Sequence, residues 1–227
     1  MTNAPSTRQL ALALGHEASF AREDFLEGPS NASALALLER WPDWPDRVVA
    51  LVGPEGSGKS HLAAIWAQRA GAPIVSAGAL GEADVPAWLA TGALAIEELP
   101  ASAPGERPLF HLLNLAREER SFVLMTARSA PTSWSVAIPD LYSRLRAVPV
   151  ARLEPPDDTL LRGVLVKLFA DRQLAVDESL IAYVMTRIER SFAAARAAVA
   201  ELDSASLRLQ RRVTRALAAE TLGQIEP

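Results

Sequence analysis

The chain has 227 residues, of which 49% are hydrophobic and 22% are charged, and it carries a formal net charge of −4. This length can hold one domain of ordinary size and a smaller second one, and the composition is that of a globular protein rather than a disordered one. The sequence contains no cysteine, which excludes disulfides and cysteine-ligated zinc. The negative net charge argues against broad coating of nucleic acid as the main activity.

We expect no secretory signal, because the apolar run at residues 10–14 is too short for the hydrophobic region of one. No apolar stretch approaches the roughly 18 residues that a membrane-spanning helix needs. The expected location is therefore cytoplasmic, without a membrane partner.

The pattern of apolar and polar residues divides the chain into three zones. Residues 1–17 are rich in small polar residues and are expected to form a flexible N-terminal tail. From residue 18 to residue 152, short apolar runs alternate with helix-like segments, which predicts an α/β core with a parallel sheet sandwiched by helices. The predicted strands are residues 48–52, 73–76, 94–97, 122–126 and 147–152, and the predicted helices are residues 33–40, 61–70, 86–90, 108–120 and 138–145.

The third zone, residues 153–227, shows no strand pattern and is expected to form an all-helical domain. Asp157, Asp177 and Ser191 stand where helix N-caps are expected, and the helix that follows Ser191 should run to about residue 209. A last helix is expected over residues 213–222. Seven arginines lie between Arg187 and Arg215, and they indicate either a solvated helical face or weak contact with DNA phosphates.

One short segment carries the strongest functional signal. Residues 53–60 read GPEGSGKS and match the phosphate-loop pattern G-x-x-x-x-G-K-[S/T] at each fixed position. The segment lies between a predicted strand and a predicted helix, where backbone N–H groups and a helix N-terminus can surround phosphate oxygens. Lys59 is then expected on the β- and γ-phosphates and the Ser60 hydroxyl on Mg²⁺. The residues predicted to bind a nucleoside phosphate are Gly53, Pro54, Glu55, Gly56, Ser57, Gly58, Lys59, Ser60 and His61.

Two carboxylates, Glu97 and Glu98, stand at the end of the third predicted strand. In phosphate-loop proteins a second strand supplies an acid that holds Mg²⁺. Glu97 is the candidate for this metal-side acid, and Glu98 is the candidate for orienting an attacking water. The other interpretation is a strand end with two exposed acids.

Arg144 lies just before the fifth predicted strand. An arginine there can point out of the domain edge toward a neighbour's nucleotide and act as an arginine finger in trans. From spacing alone, a surface arginine is an equally good interpretation.

Taken together, residues 18–222 resemble the DnaA-related family of AAA+ ATPases. Beyond the phosphate loop, residues 24–31 (DFLEGPSN) look like the F-x-x-F-V-x-G-x-x-N motif of that family's initiators. The resemblance implies an AAA+ core with a five-stranded parallel sheet, a helical lid and bound ADP or ATP with Mg²⁺. It also implies that Phe25 and Leu26 form part of the adenine pocket and that Arg144 is the arginine finger. Initiators continue into a helix-turn-helix DNA-binding domain, which we do not expect here.

The N-terminal tail adds a second resemblance. Residues 9–14 (QLALAL) are similar to the Q-L-x-L-x-L peptide that docks into the DNA polymerase sliding clamp, so Gln9, Leu10, Leu12 and Leu14 would bind the clamp. Combined with a DnaA-like core, this tail resembles the Hda-type regulatory inactivators of DnaA. The resemblance implies a negative regulator of replication initiation, with the clamp and the DnaA initiator as partners and Arg144 acting on the initiator's ATP.

Three positions depart from the family pattern. Glu97 stands where Asp is usual, and the polar residue that senses the γ-phosphate falls at Ala127 or Arg128. The lid arginine falls at about Ala193, with Arg190 and Arg196 flanking it, and Arg196 is the candidate lid contact to the nucleotide. Each change weakens contacts to the γ-phosphate or to Mg²⁺, and we therefore expect nucleotide binding, with ADP as the working ligand, but poor intrinsic turnover.

Two other function classes stay open on the sequence alone. One is an NTP-hydrolysing helicase loader or small kinase, which needs an intact acid and a complete γ-phosphate site. The other is a nucleotide-controlled DNA-binding adaptor that uses the arginine-rich stretch. The sequence also leaves self-association of the chain open.

Overall fold

The computed structural model describes residues 21–100 and 105–223. Within these ranges the strands are β1 (Val48–Val52), β2 (Ile74–Ser76), β3 (Ala93–Leu99), β4 (Phe122–Ala127) and β5 (Val150–Arg152). They form one parallel sheet in the order β2-β3-β4-β1-β5. The predicted five-stranded parallel sheet is confirmed.

Helices cover the sheet and then continue alone to the end of the described chain. Those between the strands are α1 (Ala32–Glu39), α2 (Lys59–Ala70), α3 (Val85–Leu89), α4 (Glu106–Glu118) and α5 (Pro139–Ala147). Those after β5 are α6 (Asp158–Asp171), α7 (Glu178–Met185), α8 (Phe192–Leu209) and α9 (Arg215–Leu222). None of the helices in the described ranges has the length and apolarity needed to cross a bilayer.

The predicted start of the fifth strand was wrong by three residues. The helix α5 continues through Ala147, and β5 begins only at Val150. Pro149 explains the boundary, because a proline disfavours helical conformation in the residue before it. Val148 is accordingly extended, and the Pro149 carbonyl accepts the first hydrogen bond from Ala50 of β1 (2.9 Å).

The two faces of the sheet pack against different helices. Successive strand residues point to opposite faces. In β1, Val49 and Leu51 join the core with α1 and α2, whereas Ala50 and Val52 join the core with α3, α4 and α5. This alternation buries both faces and explains why each strand appears in the sequence as a continuous apolar run.

The helices α6 to α9 form the lid, which has its own apolar core. Each of these helices begins with a side chain that accepts a hydrogen bond from the backbone N–H three positions later: Asp157, Asp177, Ser191 and Thr214. The first three caps were predicted and are confirmed. Thr214 was not predicted as a cap, because the last helix was expected to start at residue 213, two residues before its observed start at Arg215.

The lid contacts the core through the N-terminal segment, residues 21–31. Lys167 of α6 forms an ion pair with Asp24 (2.7 Å). A Cβ atom added to Gly28 would lie 3.0 Å from the Leu160 side chain, so α6 packs closely on this segment. The backbone N–H of Glu154 also bonds to the Ser30 carbonyl (3.0 Å).

Candidate nucleotide-binding site

The phosphate loop connects the carboxyl end of β1 to the start of α2. Its first glycine lies against the chain that follows β5: a Cβ atom on Gly53 would be 2.5 Å from the Leu153 carbonyl oxygen. No side chain fits in that gap. Gly53 therefore allows the loop to turn away from the sheet at the edge where ligands of parallel α/β sheets bind.

The start of α2 leaves backbone donors available for an anion. Its N-cap, Gly58, has a left-handed conformation (φ 96°), and no described side chain caps the helix. In this respect α2 differs from the four lid helices. The first N–H groups of an uncapped helix, together with its dipole, form an anion-binding site. The predicted position of the phosphates thus coincides with unsatisfied donors.

Lys59 occupies the first position of α2, and its side chain folds back over the loop. Its Nζ atom donates hydrogen bonds to the carbonyl oxygens of Gly53 (2.8 Å) and Pro54 (2.6 Å). Partial burial lowers the pKa of Lys59 below its usual range and the charge of Arg128 adds to the lowering, whereas the nearby carboxylates oppose it: Glu55, Glu98 and Glu97. A bound phosphate would also oppose the lowering, because an anion favours the charged ammonium.

The two predicted acids lie at an irregular end of β3. The pairing between β3 and β4 shifts register between Ile96 and Leu99, and Glu98 within this shift has a left-handed backbone (φ 62°). The N–H of Glu98 donates to the Oγ1 atom of the buried Thr126 (3.0 Å). Glu97 is half-buried and Glu98 is exposed. The irregularity separates the environments of the two carboxylates, which periodicity alone could not predict.

Two buried polar atoms of the site have no hydrogen-bond partner among the described residues. They are Oγ of Ser57 and Oε1 of Glu97. Buried polar atoms normally have partners, so these two mark places where an ion, a water or a ligand is expected. Mg²⁺ is commonly held by one or two carboxylates with phosphate oxygens and water. Glu97 and the exposed hydroxyl of Ser60 fit that donor set.

An aromatic cluster lies beside the phosphate loop, next to Gly58. Phe25 is buried and meets the His61 ring edge-on, with 5.3 Å between centroids. A Cβ atom on Gly58 would lie 3.7 Å from Phe25 and 3.5 Å from Phe192 of the lid. Leu26 packs toward Gly163 of α6. The predicted adenine-pocket residues Phe25 and Leu26 therefore lie where core and lid meet, together with His61 of the predicted phosphate-binding set.

His61 combines burial with a specific electrostatic environment. Burial lowers the pKa of its imidazole, the hydrogen bond to the Ala21 carbonyl opposes the lowering, and the charge of Arg196 adds to it. The charge of Arg196, on α8, therefore acts on His61, which lies beside Phe25. Arg190, the other flanking arginine, pairs instead with Asp158 (3.0 Å).

The lid closes directly onto the phosphate loop at Gly56. The N–H of Phe192 donates to the Gly56 carbonyl (2.9 Å), and a Cβ atom on Gly56 would lie 2.9 Å from the Cβ of Ala193. The position expected for the lid arginine thus touches the loop, but it presents a methyl group. This contact between α8 and the loop was not predicted.

A second interaction missed by the sequence analysis crosses the loop. Arg128, just after β4, forms an ion pair with Glu55 of the phosphate loop, and both side chains are largely exposed. Both residues were noted separately, Glu55 as a loop position and Arg128 as a departure from the family pattern. Their pairing joins segments 73 positions apart.

Asn31 supports the base-side segment. It is buried, its Oδ1 accepts the Gly28 N–H (2.9 Å), and its Nδ2 donates to the Leu26 carbonyl (3.0 Å). These bonds fix the backbone that carries Phe25 and Leu26. The signal for this role was present in the sequence, because Asn31 ends the DFLEGPSN motif.

Arg144 lies near the amino ends of the strands, whereas the phosphate loop lies at their carboxyl ends. It stands in the last turn of α5, half-buried, with its guanidinium carbon 5.6 Å from the centroid of the Phe110 ring. It lines a cavity of about 350 Å³ together with Arg47 and Val48, at the amino end of β1. The loop begins at the other end of β1, about 13 Å away for a five-residue strand. The structure does not bring Arg144 together with the chain's own phosphate site.

The predicted clamp-binding residues Gln9, Leu10, Leu12 and Leu14 lie outside the described residues.

Comparisons with known proteins agree with this architecture. Residues 158–222 match the family model described as "Hda, lid domain". The whole fold is similar to domain III of the replication initiation protein DnaA from Thermotoga maritima, with a TM-score of 0.76 and 21% identity over 92% of this chain and 98% of that chain.

Two further structures extend the likeness. RuvB of Thermotoga maritima has a TM-score of 0.70 and 18% identity over 90% of this chain and 72% of that chain. A replication initiator DnaA bound to AMPPCP and single-stranded DNA has a TM-score of 0.65 and 16% identity over 84% of this chain and 68% of that chain. At these identities the likeness shows the fold alone, which this chain shares with DnaA domain III and RuvB.

Proposed function

We propose that this chain, an AAA+ protein with the fold of DnaA domain III and an Hda-type lid, promotes hydrolysis of ATP held by a DnaA-type initiator. It does so in complex with the DNA-loaded sliding clamp and with ADP or ATP and Mg²⁺ in its own site. The position of Arg144 carries the proposal. An arginine remote from its own phosphate loop and half-exposed at the domain edge is available to a nucleotide held by a neighbour and not to the chain's own nucleotide.

The chain's own site supports binding more than turnover. The loop offers uncapped amides and Lys59 to phosphates, and Glu97 with Ser60 fits Mg²⁺. When bound, Mg²⁺ would neutralise phosphate charge. The lid position next to Gly56 is Ala193, which supplies no charge to a γ-phosphate. Such a site suits a nucleotide that stabilises the closed arrangement of core and lid.

Arg144 would act on the partner's nucleotide by stabilising the charge that develops on the transferred phosphoryl group. Such a finger can contribute factors of about 10³–10⁵ in rate. The contact with the Phe110 ring holds the guanidinium near the domain edge without neutralising its charge.

The tail would supply the clamp contact. A glutamine amide and leucines at positions 10, 12 and 14 offer one hydrogen-bonding group and three apolar side chains to a groove. Because this contact lies in a separate segment, it can be removed without altering the nucleotide site.

The decisive experiment measures hydrolysis of radiolabelled ATP bound to DnaA, with and without this chain and DNA-loaded clamp. We expect acceleration only when all three are present. Arg144→Ala should abolish it, whereas Arg146→Ala, two positions away on the same helix, should not. Unchanged stimulation by Arg144→Ala would place the finger elsewhere. Turnover of ATP by this chain alone, without effect on DnaA, would favour the enzyme class instead.

The clamp contact has its own test. Replacing Gln9, Leu10 and Leu14 by alanine should abolish binding to the clamp, measured by surface plasmon resonance, while the affinity for ADP stays unchanged. If the triple variant binds the clamp as tightly as the original chain does, the tail motif is not the contact.

One observation supports weak DNA contact by the lid as a second role. The guanidinium groups of Arg187 and Arg215 lie 5.3 and 5.5 Å from the centroid of the Tyr183 ring, and both arginines are exposed. Arg190 and Arg211 are instead paired with carboxylates. Replacing Arg187 and Arg215 by alanine should weaken duplex binding and make its salt dependence shallower. No change in either quantity would remove this role.

A further inference from the structure

The ion pair between Glu55 and Arg128 lies at the mouth of the phosphate loop. Glu55 is part of the loop itself, between Pro54 and Gly56, and Arg128 directly follows the carboxyl end of β4, the neighbour of β1. The two side chains are 73% and 75% exposed, so no packing holds them together. Each is free to exchange its partner for a ligand group.

The charges around Lys59 make such an exchange relevant to nucleotide binding. Four neighbouring charges act on the Lys59 ammonium and so lie within electrostatic reach of the phosphate site: those of Arg128, Glu55, Glu98 and Glu97. With Arg128 neutralised by Glu55, Lys59 is the one side-chain cation left among the described groups that act on this position, beside the carboxylates of Glu97 and Glu98. Among these groups, no second cation is then free to balance the extra negative charge of a γ-phosphate.

We propose that Glu55 determines the nucleotide preference of this site, because its carboxylate holds Arg128 and keeps the guanidinium from the γ-phosphate. The pair biases the site toward ADP, which lacks that phosphate. When Glu55 is removed, Arg128 becomes available to the γ-phosphate and ATP binding strengthens. This inference rests only on the nucleotide-binding part of the proposed function.

The size of the effect follows from the exposure of the pair. An exposed ion pair contributes little to stability, up to about 1 kcal/mol. A charge-assisted bond between a guanidinium and a phosphate is stronger, so Arg128 can gain more from the phosphate than it loses with Glu55. We therefore expect a shift in the ATP-to-ADP affinity ratio of about threefold to fivefold rather than a change in whether nucleotides bind.

The test measures the affinities of the full chain for ATP and ADP by isothermal titration calorimetry with Mg²⁺. Glu55→Gln should raise the ATP-to-ADP affinity ratio about threefold to fivefold. Glu119→Gln is the matched control, because it removes one exposed carboxylate just after α4, before the amino end of β4, and should leave the ratio unchanged.

The double variant separates the proposed exchange from simple repulsion. If Glu55 acts through Arg128, the effect of Glu55→Gln shrinks when Arg128→Ala is also present. If Glu55 only repels the γ-phosphate, its removal has an equal or larger effect in that background, and the proposal is overturned. An unchanged ratio in Glu55→Gln also overturns it. Absence of binding by the original chain would contradict the nucleotide part of the proposed function instead.

Discussion

Gly56 joins the phosphate loop to the lid at the scale of a single residue. Its backbone is left-handed (φ 71°), its carbonyl accepts the Phe192 N–H, and the Cβ of Ala193 lies 2.9 Å from where a side chain would start. Only glycine meets both the conformational and the steric requirement. The residue therefore couples the shape of the loop to the position of α8.

Replacing Gly56 by alanine should lower the free energy of unfolding by about 2–3 kcal/mol, because a left-handed conformation and a clash with the Cβ of Ala193 are both imposed. Gly71→Ala is the matched control: Gly71 is also left-handed (φ 62°), but no atom of the described residues lies within 4 Å of an added Cβ. That variant should lose only about 1 kcal/mol and keep its ADP affinity. Urea unfolding and ADP titration check both variants; equal losses for the two glycines would mean that the lid does not press on the loop.

At the scale of secondary-structure elements, the beginning of α8 has two roles. Ser191 caps the helix by accepting the Ala194 N–H (3.0 Å), and the next residue bonds to the phosphate loop. Thr214 caps α9 in the same way by accepting the Leu217 N–H (3.3 Å), but α9 begins within the lid. The two caps are chemically alike and differ in what the helix end contacts.

Both Ser191→Ala and Thr214→Ala should lower the free energy of unfolding by about 1 kcal/mol, the usual contribution of an N-cap. Only Ser191→Ala should also weaken ADP binding, since fraying of α8 releases the lid from Gly56. Denaturant unfolding measures the first effect and calorimetric titration the second. A loss of ADP affinity in Thr214→Ala of the same size would show that lid stability, and not the α8 contact, sets the affinity.

At the scale of the whole molecule, a nucleotide should stabilise core and lid together, because its expected site lies between them. A ligand that binds only the folded state adds about 2.7 kcal/mol at a concentration of 100 Kd, which corresponds to a rise in Tm of roughly 5–10 °C for a chain of this size. Lys59→Ala should largely remove that rise in differential scanning fluorimetry with ADP and Mg²⁺. A variant that keeps the full rise would indicate binding elsewhere.

Much of the fold could be predicted because it rests on local patterns. The apolar runs of β1 and β4 were located to within one residue, and the caps Asp157, Asp177 and Ser191 were identified from residues adjacent to the helices they begin. The phosphate loop was recognisable for the same reason, since its glycines and Lys59 are contiguous in the chain. The clamp-binding tail and the action of Arg144 on a partner stay predictions.

The sequence by itself thus determined the order of the elements, the parallel sheet, the lid and the place of the phosphate loop, because each depends on residues a few positions apart. Only the tertiary structure decided which distant groups meet. It brings α8 onto Gly56, joins Glu55 to Arg128, and shifts the register of β3 so that Glu98 bonds to Thr126. Such contacts are set by how layers pack, and neither periodicity nor spacing carries that information.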